Sequence, residues 1–217
     1  MSEKLTKTEA RVVGCLIEKQ LTTPEYYPLT LNAIIAACNQ KTNREPVVSF
    51  SEEIVQKALD DLREKNIVYV FYGSTSRVVK YKHILDKVYE LDEREIAVVC
   101  VLMLRGAQTL GELRERSGRL YEFSGLGEVN ETLDGLMRRD EPVVVKLERQ
   151  AGQKEVRFAH LLSGEVAITD NNLPQNKTID APAENERIEK LESEVENLRG
   201  ELNLFRQSFE EFKKQFE

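Results

Sequence analysis

The stretch EARVVGCLIEK, residues 9–19, returns later in the chain as EIAVVCVLMLR, residues 95–105. A second stretch recurs in the same order, VQKALDDLREKN (55–66) as VNETLDGLMRRD (129–140). The two offsets are 86 and 74 residues. Loops of unequal length between the repeated stretches account for this difference. Recurrence over this period indicates that one structural unit of about 80 residues occurs twice.

A third recurrence contains both of the chain's histidines. VKYKHI (79–84) and VRFAHL (156–161) lie 77 residues apart and share a frame of Val, base, aromatic ring, spacer, His and aliphatic residue. One interpretation of His83 and His160 is a paired metal or catalytic site, and the other is a ring packed at the edge of each unit. Because catalytic sites need converging groups, and no cysteine or acid cluster accompanies either histidine, we favour the packed ring.

Capping signals and hydrophobic periodicity predict the elements of the first unit. Thr6 with Glu9, and Ser49 with Glu52, have the spacing of a capping box at a helix start. Residues of high β-propensity then flank a Gly-Ser turn. The predicted elements are a helix beginning near residue 7, helices over 31–38 and 51–66, and strands over 67–72 and 77–83.

The second unit repeats this plan, with Thr109 and Glu112 capping its second helix. Its predicted elements are a helix over 92–104, a helix after Thr109, a helix over 125–139, and strands over 143–149 and 155–161. Three helices followed by a β-hairpin is the winged-helix plan.

The predicted fold class is therefore mainly α with small β-hairpins (α+β), arranged as two tandem winged-helix domains and a C-terminal coiled-coil helix. The predicted boundaries are 1–85 and 86–165 for the two domains, 166–183 for a linker rich in Asn and Pro, and 184–217 for the terminal helix.

The terminal helix carries apolar residues at alternating spacings of three and four, which is a heptad seam. Such a stripe predicts self-association, because a lone amphipathic helix would leave it in water. The predicted oligomerisation residues are Ile188, Leu191, Val195, Leu198, Leu202, Phe205, Phe209, Phe212 and Phe216.

Charges beside the seam favour a parallel homodimer. The g positions hold Arg187, Glu194 and Glu201, and the e positions five residues later hold Glu192, Arg199 and Arg206. Every g–e′ pair thus joins opposite signs, which sets register and partner more than affinity. Two alternatives stay open: the helix folds back on its own domains, or it forms a trimer or larger bundle.

Composition places the chain among cytoplasmic proteins. It has 217 residues, no apolar run long enough for a bilayer and no secretory signal at its start. Cys15, Cys38 and Cys100 are isolated and lack metal or redox spacing, which predicts three buried thiols in a reducing compartment.

The net charge of −7 is spread unevenly. Residues 1–85 carry a net +2, residues 86–165 a net −4 and residues 184–217 a net −4. The third helix of each unit, which normally enters the major groove in a winged helix, is acidic. That is unfavourable for ordinary DNA readout, since phosphate contacts supply most of the affinity.

A basic wing and a polar loop nevertheless suggest DNA contacts in the first unit. The loop NQKTNREP (39–46) concentrates residue types that read base edges and hold phosphates, although it can also be a simple polar turn. The candidate DNA-binding residues are Asn39, Gln40, Lys41, Asn43, Arg44, Ser74, Arg77, Lys80 and Lys82.

Two long stretches resemble the YceH family of bacterial proteins. They are LTKTEARVVGCLIEKQLTTPEYYPLTLNAIIAACNQKTNREP (5–46) and LRGAQTLGELRERSGRLYEFSGLGEV (104–129), and the likeness covers about residues 4–165. The resemblance implies tandem winged-helix domains in a cytosolic protein without an established activity, and it supplies no catalytic residues.

Three functional hypotheses follow. The sequence favours a DNA-binding, regulator-like homodimer, on the precedent of the fold and the basic wing. The alternative is a non-enzymatic protein-interaction scaffold, which the acidic third helices support. An enzyme is the least favoured hypothesis, since no phosphate-binding loop, nucleophile elbow or zinc motif occurs. We therefore expect no catalytic residues, no metal and no cofactor.

Overall fold

The structure, a computed structural model, describes residues 3–72, 78–149 and 155–164. Within these ranges the chain is mainly α-helical with two small antiparallel sheets, which confirms the predicted α+β class. The predicted linker and coiled-coil helix, with all nine seam residues, lie outside the described residues.

The first half folds as three helices and a hairpin joined by a short extra strand. Its elements are α1 (Lys7–Thr22), a 3-10 turn (Pro24–Tyr26), β1 (Leu29–Thr30), α2 (Leu31–Cys38), α3 (Glu52–Glu64), β2 (Val68–Phe71) and β3 (Lys80–His83). The extra strand β1, which the sequence analysis missed, pairs Leu29 with Tyr81 of β3, so that the sheet order is β1-β3-β2.

The second half has the same order of elements after a one-turn helix. An isolated bridge between Gln108 and Phe158 takes the position that β1 has in the first half. The elements are α4 (Leu85–Val88), α5 (Glu93–Arg105), α6 (Leu110–Ser117), α7 (Leu126–Met137), β4 (Val144–Lys146) and β5 (Phe158–His160).

The internal repeat is present in the structure with the spacing read from the sequence. Helix α5 begins 86 residues after α1, and α7 begins 74 residues after α3. His83 ends β3 and His160 ends β5, 77 residues later. The two histidine frames therefore occupy corresponding strands.

Helix starts follow the predicted caps with one exception. The capping boxes of α1 at Thr6 and of α6 at Thr109 are both formed. The predicted box between Ser49 and Glu52 is wrong, because Ser51 caps α3 and accepts a hydrogen bond from Ile54 N. Asn39 holds the residue between the two serines outside the helix: its side-chain amide donates to the Phe50 carbonyl and accepts from the Phe50 N–H.

Helices α1 and α5 form the centre of the molecule. Residues 9–17 of α1 and 96–104 of α5 are all buried, as expected of helices enclosed on every side. They meet at Gly14, where an added Cβ would lie 2.9 Å from the Leu104 side chain.

Hydrophobic residues of both halves make one continuous core, and residues 1–167 form one compact unit. The predicted boundary at residues 85–86 falls inside α4, and the core continues across it.

A bilayer-spanning helix is absent from the described ranges: no helix there has the required length and apolar character.

Candidate functional site

Arg44, a candidate for DNA contact, is buried in the structure at 6% exposure. Its guanidinium forms a two-pronged ion pair with Glu18 of α1, at 2.6 and 3.1 Å. It also donates to the Ala37 carbonyl and to Gln40. Burial lowers the pKa of Arg44 and the hydrogen bond and charge of Glu18 raise it, with a net upward shift. Arg44 therefore holds the loop onto α1 and α2, and its donors point into the protein instead of towards a DNA ligand.

The amides of the same loop are also engaged inside the molecule. The Asn39 side chain forms hydrogen bonds with both the N–H and the carbonyl of Phe50. Asn43, which has a positive φ of 60°, accepts a hydrogen bond from Arg105 through its side chain. Gln40 accepts a hydrogen bond from Arg44. The polar side chains of the loop therefore stabilise its position within the fold. The sequence could not reveal this, since the partners of its side chains lie far along the chain.

Three candidate bases keep their side chains available. Lys41 and Lys82 are exposed and Lys80 is partly exposed. Their ammonium groups make no hydrogen bond or ion pair with any residue that the structure describes. Ser74 and Arg77, the other two wing candidates, lie outside the described residues.

The exposed surface of α3 is acidic, and its bases are neutralised locally. Each base of this helix and its C-terminal cap is paired with a carboxylate: Lys57 with Asp61 at 2.8 Å, Arg63 with Asp60 at 3.2 Å, and Lys65 with Glu9 at 2.7 Å. Glu52 and Glu53 stay exposed in the first turn. Negative charge is thus unpaired at the end of α3 that would approach base edges in a DNA-binding winged helix.

Helix α7 has a similar surface. Arg138 lies 4.0 Å from Asp134, and Arg139 pairs with Glu95 at 2.7 Å while donating to the carbonyls of α4's C-terminal loop. Glu131 is exposed on the helix. We call the exposed faces of α3 and α7 the third-helix surfaces.

Each third-helix surface also carries an exposed apolar side chain in its first turn. Ile54 of α3 is 45% exposed and Leu126 of α7 is 47% exposed. The buried stripe of α3 consists of Val55, Ala58, Leu59 and Leu62. Both residues lie in the first turn of a third helix, although the 74-residue offset places Glu128, and not Leu126, at the position that corresponds to Ile54.

The two histidines pack inside their own hairpins. His83 is buried, its ring lies edge-on to Tyr27, and its Nδ1 accepts a hydrogen bond from Leu85 N. Burial lowers the pKa of His83 to about 4, against a smaller opposing effect of Asp86. Burial also lowers the pKa of His160 to about 4. Both rings are therefore neutral near pH 7, as packed rings would be.

The cysteines are free and buried. Cys15 and Cys38 are neighbours in the first half, and Cys100 donates to the Gly14 carbonyl at the crossing of α1 and α5. In the described part of the chain, no group of three His, Cys, Asp or Glu side chains is placed to hold a metal ion.

Comparison with known proteins identifies close relatives of unknown function. A family model described as "Protein of unknown function, DUF480" matches residues 5–153. A "UPF0502 protein" of Pelobacter propionicus is 48% identical over 220 residues, covering 98% of both chains. Similar proteins of Geobacter sulfurreducens and Geotalea uraniireducens are 47% and 49% identical, covering 98% and 100% of both chains respectively.

Proposed function

The chain belongs to the DUF480 (UPF0502) family of bacterial proteins of unknown function, and we propose that it is a non-enzymatic protein-interaction module built from two tandem winged-helix units. The order of three helices and a hairpin in each half supports the winged-helix assignment. The fold alone does not select the partner, so the choice rests on the surfaces.

The observation that carries the proposal is the acidic character of the third-helix surfaces. A DNA-binding helix needs free lysines and arginines to replace counterions on phosphates. The three bases of α3 and its cap lie beside carboxylates. Helix α7 itself contains no base, and the two arginines that follow it lie 4.0 and 2.7 Å from carboxylates, while Glu52, Glu53 and Glu131 stay exposed. Such a surface repels DNA. It suits a protein partner that presents basic groups around an apolar pocket for Ile54 or Leu126.

Affinity capture from bacterial extract with single-residue variants tests this proposal. The variants Ile54→Glu and Leu126→Glu each place a charge in the first turn of a third-helix surface. Val88→Glu is a matched control, since Val88 is 41% exposed on α4. It lies near Arg138 and Arg139, beyond the C-terminal end of α7 and not in the first turn that contains Leu126. We expect wild type and the control to capture the same partner, and at least one surface variant to bind it about 30-fold more weakly, as for an interfacial hot spot. Equal capture by all four proteins, or capture by none, would contradict the proposal.

We further propose that the protein acts as a homodimer through its C-terminal coiled coil, in the cytoplasm. Support for the dimer is the heptad seam from Ile188 to Phe216 with its complementary flanking charges. Pairing would present two copies of each third-helix surface, which raises the effective concentration for a repetitive partner. Three free, buried thiols fit a reducing compartment.

DNA binding by the same dimer is the second candidate function. It is favoured by Lys41, Lys80 and Lys82, which have no ion-pair partner among the described residues. Titration of labelled duplex DNA over a range of salt concentrations tests it. Binding that weakens steeply with salt, and that Lys80→Gln with Lys82→Gln reduces, would support this candidate. Absence of binding at low salt would remove it.

A further inference from the structure

A cavity of about 350 Å³ opens between α1, α5 and α6. Its floor is apolar and formed by buried side chains of α5, namely Cys100, Val101 and Leu104. Three arginines line it as well: Arg105, Arg116 and Arg119. The sequence analysis did not single out these arginines. The two stretches that resemble the YceH family meet here, since Asn43 of the first stretch and all three arginines of the second line the cavity.

Arg105 carries a partly buried charge without an acidic partner. Its guanidinium donates to the neutral side-chain amide of Asn43 and forms no ion pair within the described ranges. Burial lowers the pKa of Arg105 and the nearby Arg116 lowers it further, while the charges of Glu18 and Glu45 raise it. Because two cations placed close together repel each other, a bound anion would stabilise this arrangement.

The guanidinium groups of the other two arginines retain N–H donors for a ligand. Arg116 donates to Gln108 and lies 3.4 Å from Glu112, a carboxylate that Arg157 also binds at 3.0 Å. The Arg119 side chain is exposed and has no hydrogen-bond or ion-pair partner in the part of the chain that the structure describes. Guanidinium groups present several donors in a fixed plane, which matches the oxygens of a phosphate or carboxylate.

Two carboxylates line the same cavity, and they leave positive charge in excess. Glu18 is already neutralised by its two-pronged pair with the buried Arg44. Glu115 offsets one arginine at most. Because Glu112 is shared between Arg116 and Arg157, one to two positive charges are uncompensated, which is close to the charge of a phosphate monoester near pH 7, about −1.5 to −2.

We propose that this cavity is a binding site for a small phosphorylated metabolite. The phosphate would bind between Arg105, Arg116 and Arg119, and the organic part would lie on the apolar floor of α5. The volume is at the low end for small-molecule sites, roughly 300–1,000 Å³, which fits a sugar phosphate or a mononucleotide. This site is separate from the third-helix surfaces and does not rest on the proposed function.

Isothermal titration of the full-length protein tests the site with four probes: ribose 5-phosphate, adenosine 5′-monophosphate, inorganic phosphate and succinate. The variants are Arg105→Gln and Arg119→Gln. Arg114→Gln is the matched control, since Arg114 is exposed on α6, does not line the cavity and carries the same charge. Circular dichroism verifies the fold of each variant, and Arg119→Gln covers the case in which loss of the partly buried Arg105 impairs folding.

We expect at least one phosphate monoester to bind one site per chain, more tightly than inorganic phosphate or succinate. Arg105→Gln and Arg119→Gln should each weaken it by about tenfold, as for loss of a charge-assisted hydrogen bond. The control should stay within about twofold. No monoester binding up to about 10 mM, equal binding of succinate, binding of inorganic phosphate alone, or equal weakening by Arg114→Gln would each overturn the proposal.

Discussion

Arg44 and Lys41 lie three residues apart in one polar loop and have opposite roles. Arg44 is buried against Glu18, while Lys41 is exposed. Removing one member of a buried ion pair leaves the other charge uncompensated, at a cost of about 3–5 kcal/mol. We therefore expect Arg44→Gln to lower the free energy of unfolding by about 3 kcal/mol in urea denaturation. Lys41→Gln should change it by less than about 0.5 kcal/mol; equal effects of the two variants would contradict a structural role for Arg44.

Burial of His83 makes the free energy of unfolding depend on pH. Its pKa is about 4 in the folded protein and about 6.5 in an unfolded chain. The unfolded state therefore binds more protons between these values, so stability is complete above pH 6.5 and falls as the pH is lowered towards 4.

This pH dependence can be measured between pH 6.5 and 5, above the range in which most carboxylates titrate. Over that interval His83 should remove about 1.5 kcal/mol of stability, and His160 should add to the loss. Urea denaturation at several pH values should show a shallower pH dependence for His83→Gln than for wild type. An unchanged slope in this variant would mean that His83 is not buried as a neutral ring.

At the scale of the elements, local signals were sufficient to predict where most helices begin. Thr6 and Thr109 each cap the helix predicted for them, and Thr30 caps the helix predicted over 31–38, because a capping hydroxyl acts on residues two or three positions away. The repeat then supplied the order of elements in the second half. These predictions depended only on interactions within a short stretch of chain.

Features that depend on distant partners could not be predicted. Strand β1 has only two residues and exists because Leu29 pairs with Tyr81 of β3. The cap at Ser51 depends on Asn39 holding Phe50, and the burial of Arg44 depends on Glu18. For the same reason the sequence indicated the acidity of α3 and α7, but it did not show that the bases on and just after them lie beside carboxylates.

The crossing of α1 and α5 provides a test at this scale. A side chain at Gly14 would meet Leu104 and Met103 at 2.9–3.3 Å, and overpacking of a tight core costs about 1–3 kcal/mol. We expect Gly14→Val to lower the melting temperature. Gly135→Ala is the control: it lies exposed in α7 with its nearest contact at 3.9 Å, and alanine favours a helix by up to about 1 kcal/mol. A Gly14→Val protein as stable as wild type would exclude a tight crossing.

Over the whole molecule, the organisation of the core bears on how a partner could bind. Since α1 and α5 share one core, the two halves are joined into one compact unit. The third-helix surfaces are therefore parts of one body and can be occupied by a single partner.

Deletion of residues 184–217 tests the proposed assembly. Light scattering after gel filtration should give twice the chain mass for the full-length protein and the mass of one chain for the truncated protein. The truncated protein should retain its circular dichroism melting transition, because the core lies within residues 1–167. A full-length monomer, or a truncated dimer, would contradict assembly through the coiled coil.

The most direct test of the interaction proposal is photo-crosslinking in living cells, with a benzoylphenylalanine residue placed at position 54, 126 or 88 in turn. We expect discrete protein adducts of one partner from positions 54 and 126, and none of that partner from position 88 on α4. Adducts of DNA at positions 54 and 126, or the same pattern from all three positions, would show that the third-helix surfaces are not a protein-binding site.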